Sequence, residues 1–243
     1  MKKWSRYLGL LFLAFFVLVA CGKGNETANT KDVSSEKSEM VENAKESSAK
    51  GDASEDSIAG VSLAEPLKVD KEAKTVTLLA KVNGKYFEET TRHAVIFKDG
   101  SIADKSLFVS EVSPADFHQA LLDIGAKPGD NVTEENAANT PTEGSSLEVT
   151  VTNPDQSEHN LEEIFEDSNG KPIDMRFSGN LDGAKEIPTG CITCLDSCFV
   201  GITSNATYTL GAIEDRKEVE FKVNSDNLPE DGEYVAFTYT LKD

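Results

Sequence analysis

Apolar and polar residues take turns along four stretches of the chain. Val76, Leu78, Ala80 and Val82 form the first, and Leu147, Val149 and Val151 the second. Val219, Phe221 and Val223 alternate with Glu218, Glu220 and Lys222, and Val235, Phe237, Tyr239 and Leu241 close the chain. A period of two sends successive side chains to opposite faces, which predicts half-buried strands. His93 to Phe97 and Leu107 to Val109 are further strand candidates. Asn83-Gly84, directly after the first run, is a short hairpin signal.

One stretch carries the helical period instead. Phe117, Ala120, Leu121 and Ile124 repeat on one face. Ser113 is placed to cap this helix, Pro114 suits its first position and Asp116 its third. Gly125 supplies the stop. The pattern therefore predicts an α+β fold: a β-rich single domain with one clear helix, without internal repeats.

The chain opens differently. Lys2, Lys3 and Arg6 precede an almost purely apolar run from Leu8 to Ala20, and Leu18-Val19-Ala20 leads into Cys21. A basic start and an apolar run of this length read as a signal peptide, too short for a membrane span of about 20 residues. The run resembles the lipobox of bacterial lipoproteins. That resemblance implies cleavage before Cys21 and a diacylglyceryl group on its sulfur. The expected organisation is a signal peptide over 1–20, a lipid-anchored disordered tether over 21–57 and a globular domain over 58–243. The tether is rich in Ser, Glu, Lys, Ala, Asn and Gly and has no aromatic residue, so it cannot bury enough surface to offset ordering entropy. As a flexible coil it would reach roughly 30 Å. The expected location is the outer face of the cell membrane, with the lipid bilayer as a partner through Cys21.

Charge narrows the partners. The formal net charge is −19, from 24 basic and 43 acidic residues. Nucleic acid rewards clustered Lys and Arg, so it is not expected as a partner. Anionic head groups repel such a chain, which leaves the lipid to hold it at the membrane.

Two further stretches carry a family resemblance. Ser106-Leu107-Phe108-Val109, Ser113 to Leu121 and Ile124-Gly125-Ala126-Lys127-Pro128-Gly129-Asp130 form the first, and Gly190-Cys191-Ile192-Thr193-Cys194-Leu195-Asp196-Ser197-Cys198 the second. Together they resemble the YdjY-type domain, over most of the chain from about Glu65 onward. The resemblance implies a ferredoxin-like protein.

The cysteines are the main chemical signal. Beyond Cys21, Cys191, Cys194 and Cys198 lie within eight residues, between Pro188-Gly190 and Gly201, and read as a tight loop. Four chemistries suit them. The spacing C-x2-C-x3-C matches the last three cysteines of the bacterial ferredoxin run, with Pro188 where the first cysteine would stand and Phe199 where the final proline would. A [4Fe-4S] cluster would then take its fourth ligand from Asp196, His93, His118 or a partner protein. The start of the chain lacks the Arg-Arg pair that export of a loaded protein would favour. Zinc or another soft metal would be closed by three thiolates and one of His93, His118 and His159. A disulfide suits an oxidising compartment and would leave one odd thiol and no cofactor. Simple packing of the thiols as small apolar groups is the fourth reading.

Several other features are structural readings. His118 is expected at the helix boundary, and Arg92 and His93 in a pairing at the start of a strand. Asp167-Ser168-Asn169-Gly170 lacks the later acidic ligands of a calcium loop and reads as a turn. Glu162, Glu163, Glu166 and Asp167 read as a solvated face. No nucleotide-binding glycine pattern, nucleophile elbow or H-E-x-x-H run is present. The expectation is a non-enzymatic redox or metal-binding accessory protein that passes electrons to a membrane partner. A surface-binding or structural lipoprotein with a stabilising disulfide is the alternative.

Overall fold

Cys21 and nearly all of the expected tether lie outside the described part of the computed structural model, which covers residues 57–242. Those residues lie in one compact unit. They form twelve strands: β1 (Leu67–Asp70), β2 (Thr75–Val82), β3 (His93–Phe97), β4 (Ser106–Ser110), β5 (Leu147–Thr152), β6 (Glu158–Asn160), β7 (Phe165–Asp167), β8 (Met175–Phe177), β9 (Cys191–Cys194), β10 (Thr203–Asn205), β11 (Phe221–Val223) and β12 (Tyr234–Leu241). Three α-helices accompany them: α1 (Pro114–Asp123), α2 (Leu161–Ile164) and α3 (Leu181–Glu186). The fold is α+β and β-rich, as the pattern predicts.

One mixed sheet dominates, in the order β6-β5-β12-β2-β4-β3-β9-β10-β8, with β1 added beside β2. β3/β4 and β9/β10 are parallel, and the remaining pairs are antiparallel. The far strand turns back toward the start of the order. Arg176 of β8 bridges Ser146, the residue before β5, and the Phe177 amide donates to the Ser145 carbonyl at 2.9 Å. The sheet therefore curls toward closure, which shelters the β8 edge. β7 and β11 form a separate ribbon.

Inside the curl Phe108 meets Phe237 edge-on, with ring centroids 4.7 Å apart, and Phe117 of α1 tilts against Tyr239. α1 begins and ends as predicted. Ser113 Oγ accepts from the Asp116 amide, Pro114 is the first helical residue, and Gly125 follows with φ +89°. α2 carries a capping box in which Asn160 and Glu163 satisfy each other's amides, so one member of the acidic run does structural work. Ile173 N donates to a second member, Glu162. The Asp167–Gly170 stretch is a turn, in which the Asn169 amide donates to Asp167 Oδ1.

Two local expectations change. β2 is buried on both faces, because Ile58 and Val61 pack with Leu79 on the face the alternation leaves open. Asn83-Gly84 makes no hairpin. The chain enters a 3-10 turn over Gly84–Phe87, in which the Asn83 carbonyl accepts from the Tyr86 amide at 3.2 Å, while the Asn83 side chain holds β4 by donating Nδ2 to the Ser106 carbonyl at 3.0 Å. The hairpin here is β1–β2 instead, where Asp70 Oδ1 accepts from the amides of Glu72 and Ala73.

Candidate metal centre

The cysteine run is not a loop throughout. Cys191–Cys194 is β9, a buried strand between β3 and β10. β-branched Ile192 and Thr193 suit a strand covered on both faces, and flanking turns alone do not make a loop of it. A regular strand would send Cys191 and Cys194, three apart, to opposite faces. The β3/β9 pairing prevents this. Its register shifts twice, so that Val95 pairs with Thr193 and Ile96 with Cys191. Such bulges re-aim side chains. Ile192 joins the main core and Thr193 bonds Tyr239, also inside, whereas Cys191 and Cys194 share a small separate cluster with Ile96, Cys198 and Val200. Ile102, Ala103 and Phe199 cover that cluster.

His93 completes the geometry. It is the first residue of β3 and pairs with Cys194. Its Nδ1 lies 3.7 Å from Cys191 Sγ. The ligand atoms of His93, Cys191 and Cys194 all fall within 4.8 Å of one another, and all three residues are buried. Cys198 stands beside this trio and its thiol interacts with both other thiols. Its backbone is fixed by Asn180 Nδ2 donating to its carbonyl at 2.7 Å and by its amide donating to Ser204 Oγ at 3.3 Å. Gly201 gives the thiols room: a Cβ there would lie 3.2 Å from Cys194 Sγ and 3.3 Å from Cys198 Cβ.

The electrostatics suit a ligand set. Burial, helped by the Arg92 and Lys105 charges, pushes His93 down to about 4, so its ring is neutral. Hydrogen bonding with Cys194 draws Cys191 down, but bonding with Cys198 and burial outweigh it and push Cys191 up to about 12. Cys194 is raised by its bonds to both neighbours and by burial. Cys198 is held well below an ordinary thiol, because the other two thiols bond to it and Arg92 is near.

The other expected ligands go elsewhere. Asp196 is wholly buried and faces Arg92, whose Nε donates to Oδ1 at 3.0 Å, while the Gly211 amide donates to Oδ2 at 3.1 Å. Burial raises Asp196 to about 6 against the pull of Arg92, and Arg92 itself is raised by Asp196 despite its own burial. The pair frames the centre without entering it. His118 packs on Phe177 and His159 sits on β6, both outside the trio. All three cysteines are free thiols, so the disulfide alternative is not formed in this structure.

A model of the YdjY domain matches residues 67–240. The chain belongs to the YdjY family. The protein described as uncharacterized protein YdjY of Escherichia coli (strain K12) is 46% identical over 183 residues, which cover 75% of this chain and 81% of that relative. No solved structure matches the chain. The YdjY domain thus includes both strands that build the trio, β3 and β9.

Proposed function

We propose that this YdjY-family chain is a lipid-anchored, extracytoplasmic metal-binding protein without catalytic activity of its own. His93, Cys191, Cys194 and Cys198 would hold one thiophilic ion at its centre. The convergence of three buried ligand atoms from two strands within 4.8 Å carries this reading. Two thiols and an imidazole, with a third thiol adjacent, form the donor set that zinc and other soft metals select. At a zinc–sulfur distance of about 2.3 Å, neighbouring tetrahedral ligands stand roughly 3.6–3.8 Å apart, close to the 3.7 Å between Cys191 and His93. A four-iron cube binds each cysteine to a different iron and spreads the sulfurs around its own bulk, so the compact trio favours a single ion.

An iron–sulfur centre is the second reading. The C-x2-C-x3-C spacing favours it, as does the ferredoxin-like character implied by the family resemblance. In that case Cys21 and its lipid would keep the centre beside a membrane redox partner.

Purifying the full-length chain from membranes without air, followed by elemental and sulfide analysis, tests both. One equivalent of zinc or copper without sulfide supports the single ion. Matched iron and sulfide with visible charge-transfer absorption replaces it with the cluster, and a metal-free protein overturns both. The anchor is tested separately. Cys21→Ala should block lipid processing and release the chain from the membrane, and a processed, membrane-bound variant would refute the anchor.

A further inference from the structure

Beside the cysteine cluster, but outside it, lies a cavity of about 610 Å³, within the range of small-molecule sites. It opens between α1, the 130–134 segment and α3, and Phe199, the residue after Cys198, forms part of its wall. Val132, Leu181 and Ile187 add apolar lining. The acids that line it are Asp130, Glu134, Asp182 and Glu186, and no Lys or Arg is among the lining residues, which include His118. Lys185 stands near, paired with Asp182 at 3.7 Å with its side chain in solvent.

Asn180 is the second, independent observation. It is 8% exposed and lines the cavity. Its Nδ2 is committed to the carbonyls of Cys198 and Gly201, and its amide to Asp130 Oδ1 at 2.8 Å. Its Oδ1 has no partner among the described residues and is not sealed from solvent. In a side chain otherwise buried that lines the cavity, that leaves one open acceptor. The residue holds this position at φ +44°, in the left-handed region. His118 contributes a ring with no hydrogen bond of its own among the described residues, packed on Phe177. Burial lowers its pKa, so the ring adds no positive charge near neutral pH.

We propose that this cavity binds an ammonium group carried on an apolar stem. Asn180 Oδ1 and the acids would accept its N–H groups, and Phe199, Leu181 and Ile187 would cover the stem. The acids and His118 do not gather into a metal-sized set among the described residues, which separates the site from the cysteine centre. The strong net negative charge raises the local concentration of cations. The inference stands whether or not the cysteines hold metal. The same chemistry is offered by a free alkylamine and by a lysine side chain of another protein.

Calorimetric titration of the full-length chain with cadaverine, with the peptide Gly-Lys-Gly and with glutarate tests this. Binding of cadaverine or Gly-Lys-Gly without glutarate binding supports the site, and their relative affinities tell a free amine from a lysyl segment. The double variant Glu134→Gln/Glu186→Gln alters exposed side chains only. It should melt as the parent does and bind the cation roughly tenfold more weakly. No heat from either cation, equal binding of glutarate, or unchanged affinity in the double variant would overturn the proposal.

Discussion

The Tyr239 hydroxyl on β12 lies 2.7 Å from Thr193 Oγ1 on β9. Three strands separate β12 and β9 in the sheet order, so this bond crosses the inside of the curl. Both residues are fully buried, and Thr193 also meets Thr203 Oγ1 at 2.9 Å, which donates on to the Ile192 carbonyl. Tyr239→Phe leaves Thr193 its second partner, so the expected cost is about 1 kcal/mol. Urea unfolding should show a lower midpoint at unchanged slope.

The Arg92–Asp196 pair should behave very differently. With Asp196 wholly buried and Arg92 nearly so, Asp196→Asn leaves a guanidinium without its counter-charge, at a cost of about 3–5 kcal/mol. Replacing both, as Arg92→Met with Asp196→Leu, should recover most of that loss. Unfolding curves of the three variants check this, and a double variant as unstable as the single one would show that the pair is worth more than its charges.

Two glycines separate backbone strain from steric clash. Gly125 ends α1 at φ +89° with nothing within 4 Å of an added Cβ, so Gly125→Ala should cost only about 1 kcal/mol. Gly144 has φ +111° and an added Cβ would meet the Phe177 carbonyl at 2.0 Å, where the sheet curls back. Gly144→Ala should therefore be much the worse of the two in thermal unfolding.

His118 supplies a pH test. Burial lowers its pKa in the folded chain, against the pull of Asp130 and Asp182 and with a further push from Lys185. The unfolded chain therefore binds the proton more readily. Stability from this group is fully present above the unfolded value near 6.5 and is lost as pH falls through the folded one. NMR titration of the His118 ring should give a midpoint below 6.5. A midpoint above it would show that the acids outweigh burial.

The sequence pattern reached the long elements and missed most of the short ones, although the Val219, Phe221 and Val223 alternation did mark three-residue β11. β2, β5 and β12 repeat apolar residues often enough to announce themselves, and α1 carries its own start and stop signals. β6, β7, β8 and β10 have three residues each, too few to show a period, and are strands because neighbours pair with them. α2 was legible in Asn160-x-x-Glu163, a capping signal that the surrounding acids concealed. At the centre, Cys191, Cys194 and Cys198 stand out by density, and His93 was one of several candidate partners. Nothing local selects it over His118 or His159. That choice comes from the β3/β9 register, a long-range pairing that a linear pattern does not encode.

X-ray absorption at the edge of whichever metal co-purifies tests the central claim most directly. Coordination by His93 and the three cysteines predicts a sulfur shell at about 2.3 Å with a nitrogen at about 2.0 Å and no metal–metal scattering. In Cys194→Ser the sulfur shell should shrink or the metal be lost. A strong metal–metal distance, a shell of oxygen and nitrogen alone, or metal retained unchanged in Cys194→Ser would contradict the single-ion centre.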